Sequence, residues 1–428
     1  MKKSLLWIVV LVLSISMIAA FSFAGCKKEA KEEVVAEEEE ETVEEKAEEE
    51  PVVVTIGHDG TITVMDYMEK VLEGAKTALP NIEIKQITYP TYDDLLNMIP
   101  SQIAAGTVPD ILWWDAVAAP EYIRQGVVEP LDEWLSPEFK VEDYLQVLLK
   151  AFTYEGKLYG IPLHANDSAL VVNLDLFQEA GIEELPSSVE EFRQAAIKVK
   201  DTGNVGVVVQ LNAFHIGQYV IAHGGGWNYG ETINSEANKQ GIQFLVDLFT
   251  KDKAAVTSKE LGSAWDGEAF AKGDVGMSTG GPWYIGFMSA SAPQINYKLI
   301  PFPGINPGET TMYTYGAGYS IMKGAEHKAE AVEVLEYLSS DEAQELLYTT
   351  ELKYVPAKER MIDNFIETIP EFAPLKEAFF NGVDLAYPID QKGFSDDLTS
   401  GVEQLIYNPG TGTVEELLDT LQQKYGSN

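Results

Sequence analysis

The chain has 428 residues and a formal net charge of −38 at pH 7, with 68 Asp and Glu against 30 Lys and Arg. Such an acidic chain repels nucleic acid and anionic membrane surfaces, which excludes polyanionic partners; a neutral ligand is the simplest fit, with a cationic one left open. Hydrophobic residues make up 45% and charged residues 23%, the balance of a globular protein, and a single Cys rules out an intramolecular disulfide.

Lys2 and Lys3 open the chain, Leu5 to Ala20 form an uncharged apolar stretch, and Phe23-Ala24-Gly25-Cys26 follows. The order of charge, apolar run and small residues predicts a secretory signal. The apolar run is almost long enough to cross a bilayer, so a membrane-spanning helix is the competing reading. The lone Cys decides between them. Phe23 to Cys26 resembles a bacterial lipobox, with Phe where Leu is usual. That resemblance implies diacylation of Cys26 and cleavage before it, which would tether the chain to a membrane outside the cytoplasm. Residues 27–50 then carry 13 Glu and 4 Lys. Too charged to bury a core, they read as an extended acidic spacer, a long solvated helix being the alternative. Pro51 ends the tract.

Residues 51–428 are too many for one small core and suit two lobes. Val52 to Gly57 reads as a buried strand with a loop at His58-Asp59-Gly60, and Met65 to Leu79 as a helix stopped by Pro80. Ile82 to Ile87 is a second strand, and Tyr92 to Ala105 a helix closed by Gly106. Val108 to Trp114 is a third strand ending at Asp115. Repeated β-α-β units predict an α/β fold with a largely parallel sheet and helices on both faces. Ligands bind beyond the carboxyl ends of such strands, which draws attention to His58, Asp59, Trp114 and Asp115.

Further motifs follow in a particular order. Ala104 to Ile111 is succeeded by Gly126 to Asp132, Tyr154 to Pro162, Asn173 to Phe177 with Ala180-Gly181, Phe270 to Met277, Gly281-Pro282-Trp283 and Tyr315 to Gly318. The Ala331 to Leu335 helix and Ser339 to Glu342 complete the series. Each is weak alone, but their order across residues 51–428 resembles family 1 extracellular solute-binding proteins, the maltose-binding-protein group. The resemblance implies a two-lobed type II periplasmic-binding-protein fold closing on solute about a hinge. Crossings are expected near His164–Ser168, Tyr313–Gly318 and Val355–Phe372. One lobe is then 51–165 plus 317–360, and the other 166–315 plus 361–428.

A sugar site needs flat aromatic faces for C–H surfaces, and carboxylates or amides for the hydroxyls. Laid on the family pattern, Trp283 and Trp114 fall where sugars stack, Asp115 follows Trp114 at the strand end, and Asp59 falls where hydroxyls are held. Asn166 stands where the maltose-binding group has a carboxylate, next to Asp167. His215 and Ala213 replace a stacking Tyr and a carboxylate, which argues against maltose itself and leaves Phe214 or His215 to stack. Tyr313 and Tyr315 are expected to line the cleft near a hinge. Trp227 is a candidate contact but fits lobe packing better, and Trp113 is expected to face the core.

Gly276-Met277-Ser278-Thr279-Gly280 matches a G-x-S-x-G hydrolase elbow, but the only later His is His327, in a charged helix start, so catalysis by Ser278 is not expected. Five scattered His and one Cys form no metal motif, and no phosphate-binding loop occurs. The resemblance implies a monomeric sugar-capturing subunit of an ABC importer, without cofactor and delivering to permease subunits. The same fold with a peptide, polyamine or osmolyte is the alternative. A secreted carbohydrate-active enzyme using Asp59 and Asp115 is a more distant one.

Overall fold

The computed structural model describes residues 51–281 and 283–427. The signal segment, Cys26, the acidic spacer and Pro282 lie outside the described residues.

The first expected elements form nearly where the pattern puts them. Strand β1 (Val52–Asp59) buries Val54 and Ile56, and a helix follows at Ile62–Ala78. Strand β2 (Ile82–Tyr89) leads to helix Tyr92–Ala105, capped at its start by the Thr91 hydroxyl on the Asp94 amide and at its end by Gly106 with φ of 68°. A left-handed residue there costs glycine nothing, and its N–H closes the last turn on Gln102 and Ile103 carbonyls. Strand β3 begins at Ile111, later than the expected Val108. Val108 to Asp110 serve a different purpose: Asp110 Oδ2 accepts from the Thr55 amide at 2.8 Å and hydroxyl at 2.6 Å, pinning the entry of β3 to β1.

Strands β4 (Ile161–Asp167), β5 (Ala169–Asn173), β6 (Val205–Val209), β7 (Ala255–Thr257), β8 (Val275–Gly280), β9 (Tyr297–Ile300), β10 (Thr314–Ile321) and β11 (Val355–Pro356) complete two sheets. The first has the order β11-β4-β10-β3-β1-β2, the second β9-β5-β8-β6-β7. Neither is largely parallel as expected. In the first, β1 pairs in parallel with β2 and β3, but β10 runs antiparallel to both β3 and β4. In the second, β8 is parallel to β6 and antiparallel to β5. Connectivity explains the mixture. β4 and β10 do not come from local β-α-β units; they reach the first sheet at the chain crossings between halves, so their direction is set by the crossing.

Those crossings are zipped side by side. Asp167 ends β4, Ser168 alone separates it from β5, and β10 starts at Thr314. The Ser168 amide donates to the Tyr313 carbonyl, and the Tyr313 amide donates back to Ser168 Oγ, each at 2.9 Å. Residue 383 supplies the third strand of the joint. Thr314 donates to the Val383 carbonyl at 3.0 Å and Val383 to the Met312 carbonyl at 2.9 Å. Gln218, on helix Ala213–Ala222 of the second half, accepts from the Ser168 hydroxyl and so locks the pivot to its own lobe. Ile362, Phe365, Phe372 and Phe379 share a core with Tyr348 and Val355, whereas Leu385, Tyr387 and Phe394 pack in the other core with Trp227. The first of these clusters also takes in Val171, Val208, Phe270, Val275 and Leu299 around the second sheet, so the segment from Ile362 to Phe379 packs where the two halves meet.

Candidate ligand-binding site

Where the crossings meet, four aromatic rings converge from three elements. Phe214, from the helix Ala213–Ala222, lies 5.7 Å from Trp283, 5.3 Å from Tyr313 and 5.4 Å from Tyr315, ring centre to ring centre. Tyr313 and Tyr315 stack on each other at 5.4 Å with their planes 26° apart. Trp283 opens helix Trp283–Ser291 and remains partly exposed. Its indole folds back over Gly281, where any Cβ would collide with the ring. That close approach is the physical reason for glycine before this tryptophan.

Polar groups border the rings. Asn166 stands opposite Tyr315 in the β4–β10 pairing, and its Oδ1 is buried without a hydrogen-bond partner. Asp167 is fully buried; Oδ1 accepts from the Thr314 hydroxyl at 2.6 Å, and Oδ2 has no partner. Burial pushes its carboxyl up to about 7, against the pull of the Thr314 hydrogen bond. Asp115 Oδ1 accepts from the Val117 and Ala118 amides at 3.0 and 2.7 Å, just before helix Ala119–Arg124. Burial pushes this carboxyl up as well, although the two amides and Tyr92 oppose the shift. Unpaired acceptors beside flat rings are what a polyhydroxylated solute satisfies, its hydroxyls donating to oxygens that the protein leaves open.

The remaining candidates are placed differently. Trp114 is fully buried, stacked on Tyr122 at 5.2 Å, and its indole N–H donates to the Ser320 hydroxyl at 3.0 Å. Its ring is held within the first half and does not join the Phe214 cluster. Trp227 is likewise buried, packed edge to face on Phe394 at 5.1 Å. Trp113 meets Tyr67, His164 and Tyr319 edge-on in the first core. His58 is buried, with Nδ1 against the Asp59 carbonyl at 2.7 Å and Nε2 against Gln86 Oε1 at 2.9 Å, so both ring nitrogens are used inside the sheet. Asp59 Oδ1 accepts from the Thr61 amide and hydroxyl at 3.0 and 2.6 Å, shaping the loop that leads into the helix. His215 touches Phe214 but turns Nδ1 to Asn212 at 2.8 Å and Nε2 toward Asp266 at 3.5 Å.

Ser278 needs separate treatment, because Asp266 and His215 lie beside it. Its hydroxyl donates to Asp266 Oδ2 at 2.7 Å and accepts from Tyr284 at 2.8 Å. The serine is fully buried within β8, and its proton is directed to a carboxylate and not to an imidazole. A nucleophile needs access to substrate as well as a base on its hydroxyl, and a serine enclosed within β8 has no such access. Burial works to raise the Asp266 carboxyl, but His215 and the two hydroxyls hold it below its ordinary value.

Sequence reasoning missed Tyr354, Tyr387 and Asp384. Tyr354 packs on His164 at 4.3 Å and faces Asp59. Tyr387 and the largely buried Asp384 sit close to Tyr313. All three lie in crossing segments without regular repeats, where no periodicity marks an inward-facing residue.

A family model described as bacterial extracellular solute-binding protein matches residues 59–345. A Brucella abortus protein named only as a binding protein is 27% identical over 285 residues, covering 64% of this chain and 68% of its own length. The galactooligosaccharide-binding protein of Bacillus subtilis is 24% identical over 269 residues, covering 59% and 61% of the two chains. Among solved structures, an ABC substrate-binding protein from Listeria monocytogenes in complex with cycloalternan superposes with a TM-score of 0.75 at 19% identity, covering 88% of this chain and 98% of that one. With two lobes, zipped crossings and a motif series matched over most of its length, the chain belongs to the bacterial extracellular solute-binding proteins.

Proposed function

We propose that the protein is the extracytoplasmic capture component of an ABC importer and holds a neutral mono- or oligosaccharide between its lobes. The observation that carries this reading is the convergence of Phe214, Trp283, Tyr313 and Tyr315 beside the unpartnered oxygens of Asn166 and Asp167. The Bacillus relative is named for galactooligosaccharides and the Listeria structure is a complex with cycloalternan, which supports a saccharide. Among the site candidates, Trp283, Phe214 and Tyr315 supply the stacking faces, and Asn166, Asp167, Asp115 and Asp59 the hydroxyl partners. His58, Trp114, His215 and Trp227 support these from behind. The protein binds and releases its solute without chemistry, acts as a monomer, and hands it to permease subunits. Diacylated Cys26 tethers it to the membrane, each buried methylene contributing about 0.8 kcal/mol, and residues 27–50 space the lobes from the bilayer.

A second reading, an amine-bearing solute, has one observation in its favour. Asp115 and Asp167 are carboxylates raised by burial near the same rings, with no cation within ion-pair distance among the described residues, and Asp384 is raised beside them against the opposing charge of Lys150. Thermal-shift measurements on refolded protein against sugars, peptides, amino acids and polyamines separate the two. A solute at 100 times its Kd adds about 2.7 kcal/mol of stability. A rise with one saccharide class, lost in Trp283→Ala, supports the sugar; a rise with polyamines alone discards it.

A further inference from the structure

The chain has three arginines. Arg193 is forked onto Asp252 at 2.7 and 2.8 Å, and Arg360 sits between Asp143 and Asp341. Arg124 differs from both. Although acids outnumber bases more than twofold, no described carboxylate lies within ion-pair distance of it, and its Nη1 is buried without a hydrogen-bond partner. Its guanidinium instead lies 5.4 Å from the ring centre of Tyr154 and 4.6 Å from that of Tyr229, and it also acts on the Tyr229 hydroxyl as a hydrogen-bonding and charged neighbour.

The two tyrosines belong to different lobes. Tyr154 is in the hairpin 153–158, whose Leu158 is buried in the first core. Tyr229 follows Trp227 of the second core, and its amide donates to the Ala386 carbonyl at 2.6 Å. The backbone that presents them is unusual. Glu155, Asn228, Tyr229 and Ala386 all have positive φ, between 44° and 53°, a conformation that costs non-glycine residues energy. They are four of six such residues among those described, and all four lie at or beside this contact. One turn earlier on the arginine's helix, Glu121 faces Asp390 of the second lobe, a like-charge pair that opposes the approach of the lobes.

We propose that Arg124 is an inter-lobe latch: seated on Tyr154 in its own lobe, its guanidinium docks on Tyr229 as the lobes close and so sets how long solute is retained. This rests on the reading that the lobes close around a solute. A cation over an aromatic face acts at short range and gains strength when water is excluded, so the contact exists only in the closed arrangement. Its unpartnered nitrogen is tolerated because the delocalised charge lies between two rings. Lysine, a strongly hydrated point charge, does not reproduce this arrangement.

The test compares wild-type full-length protein with Arg124→Gln, Arg124→Lys, Tyr229→Phe, Tyr229→Leu and the Arg124→Gln/Tyr229→Leu double variant. Two quantities are read: the dissociation rate of maltotriose, and the radius of gyration of the free protein by small-angle scattering. The latch predicts that Arg124→Gln and Tyr229→Leu speed release by about 2- to 30-fold or expand the free protein, the range being that of one cation–π pair. Tyr229→Phe, which keeps the ring and loses the hydroxyl beside the guanidinium, falls between wild type and Tyr229→Leu, and the double variant is no worse than the worse single one. Unchanged release and scattering in both single variants would overturn the latch, as would additive effects in the double. If a variant fails to fold, Arg124→Lys and Tyr229→Phe decide by the same measurements: a larger loss with Lys than with Phe supports the pair, and the converse removes it. Wild-type protein that takes up no maltotriose counts against that sugar and leaves the scattering to judge the latch.

Discussion

Two buried aspartates show how similar positions acquire opposite character. Asp266 and Asp167 are both almost fully removed from solvent. Asp266 receives two hydroxyls on one oxygen and has His215 3.5 Å away, and its carboxyl is held below the ordinary range. Asp167 has one hydroxyl and no neighbouring cation, and burial pushes it up to about 7. The depth of burial is therefore not the deciding variable; the His215 charge is, with the donors around the carboxyl adding to it. The first aspartate has its charge balanced inside the fold by His215 and two hydroxyls on Oδ2, although its Oδ1, like Asp167 Oδ2, is buried without a hydrogen-bond partner. The second stands at the pivot between lobes with no balancing charge, the condition of a group whose partner arrives with solute or with closure.

Breaking the Asp266 cluster has the largest expected effect. Asp266→Ala leaves His215, Ser278 and Tyr284 without their shared acceptor, and removing one partner of a buried charged network costs about 3–5 kcal/mol. Denaturant unfolding should show that loss, while the folded fraction binds solute as before. A comparable loss of affinity at full stability would move Asp266 into the binding site. Trp283→Ala should do the reverse. A truncated aromatic at the centre of an interface costs about 2–3 kcal/mol, a roughly 30- to 150-fold rise in Kd by calorimetry. Because the ring is partly exposed, its removal should change the melting temperature little.

The comparison sharpens with pH. An acid raised from 3.8 to about 7 in the folded protein binds its proton more tightly there than when unfolded. Its stabilising contribution is complete below 3.8 and is lost as pH rises through about 7. Asp167→Asn cannot ionise, so its melting temperature relative to wild type should climb across that window and level off above it. Melting curves of the two proteins at matched pH check this. A constant offset would mean that Asp167 meets donors enough to ionise normally. Asp266→Asn should show no such climb, because its carboxyl is held low.

The sequence made the scaffold legible and the site only in part, for a physical reason. Val54, Ile56, the Gly106 cap and the Thr91 start belong to local patterns with fixed periods or caps, and these were found where expected. Trp283 was legible because Gly281 must yield space to its ring, which leaves a Gly before a Trp. The antiparallel placement of β4 and β10 was not, since it depends on chain crossings far apart in sequence. Tyr354, Tyr387 and Asp384 reach the cluster through irregular segments, and nothing local distinguishes them from other loop residues. His58 shows the converse. It ends the first strand, where a ligand contact was expected, yet Gln86 on β2 and the neighbouring carbonyl occupy both ring nitrogens.

Trp114 gives the smallest expected effect and the sharpest contrast with Trp283. Both occupy positions where the family resemblance implies stacking, but only Trp283 joins the Phe214 cluster. Trp114 lies flat against Tyr122 and spends its N–H on Ser320, a pair that links β3 to β10 inside the first half. Trp114→Phe keeps an aromatic face on Tyr122 and deletes one buried hydrogen bond, worth about 1 kcal/mol. Unfolding should register that small loss, and the Kd for the bound saccharide should stay where it was. A tenfold weakening at unchanged stability would mean that the indole leaves Ser320 for the solute, and that the first half rearranges its own core when it binds.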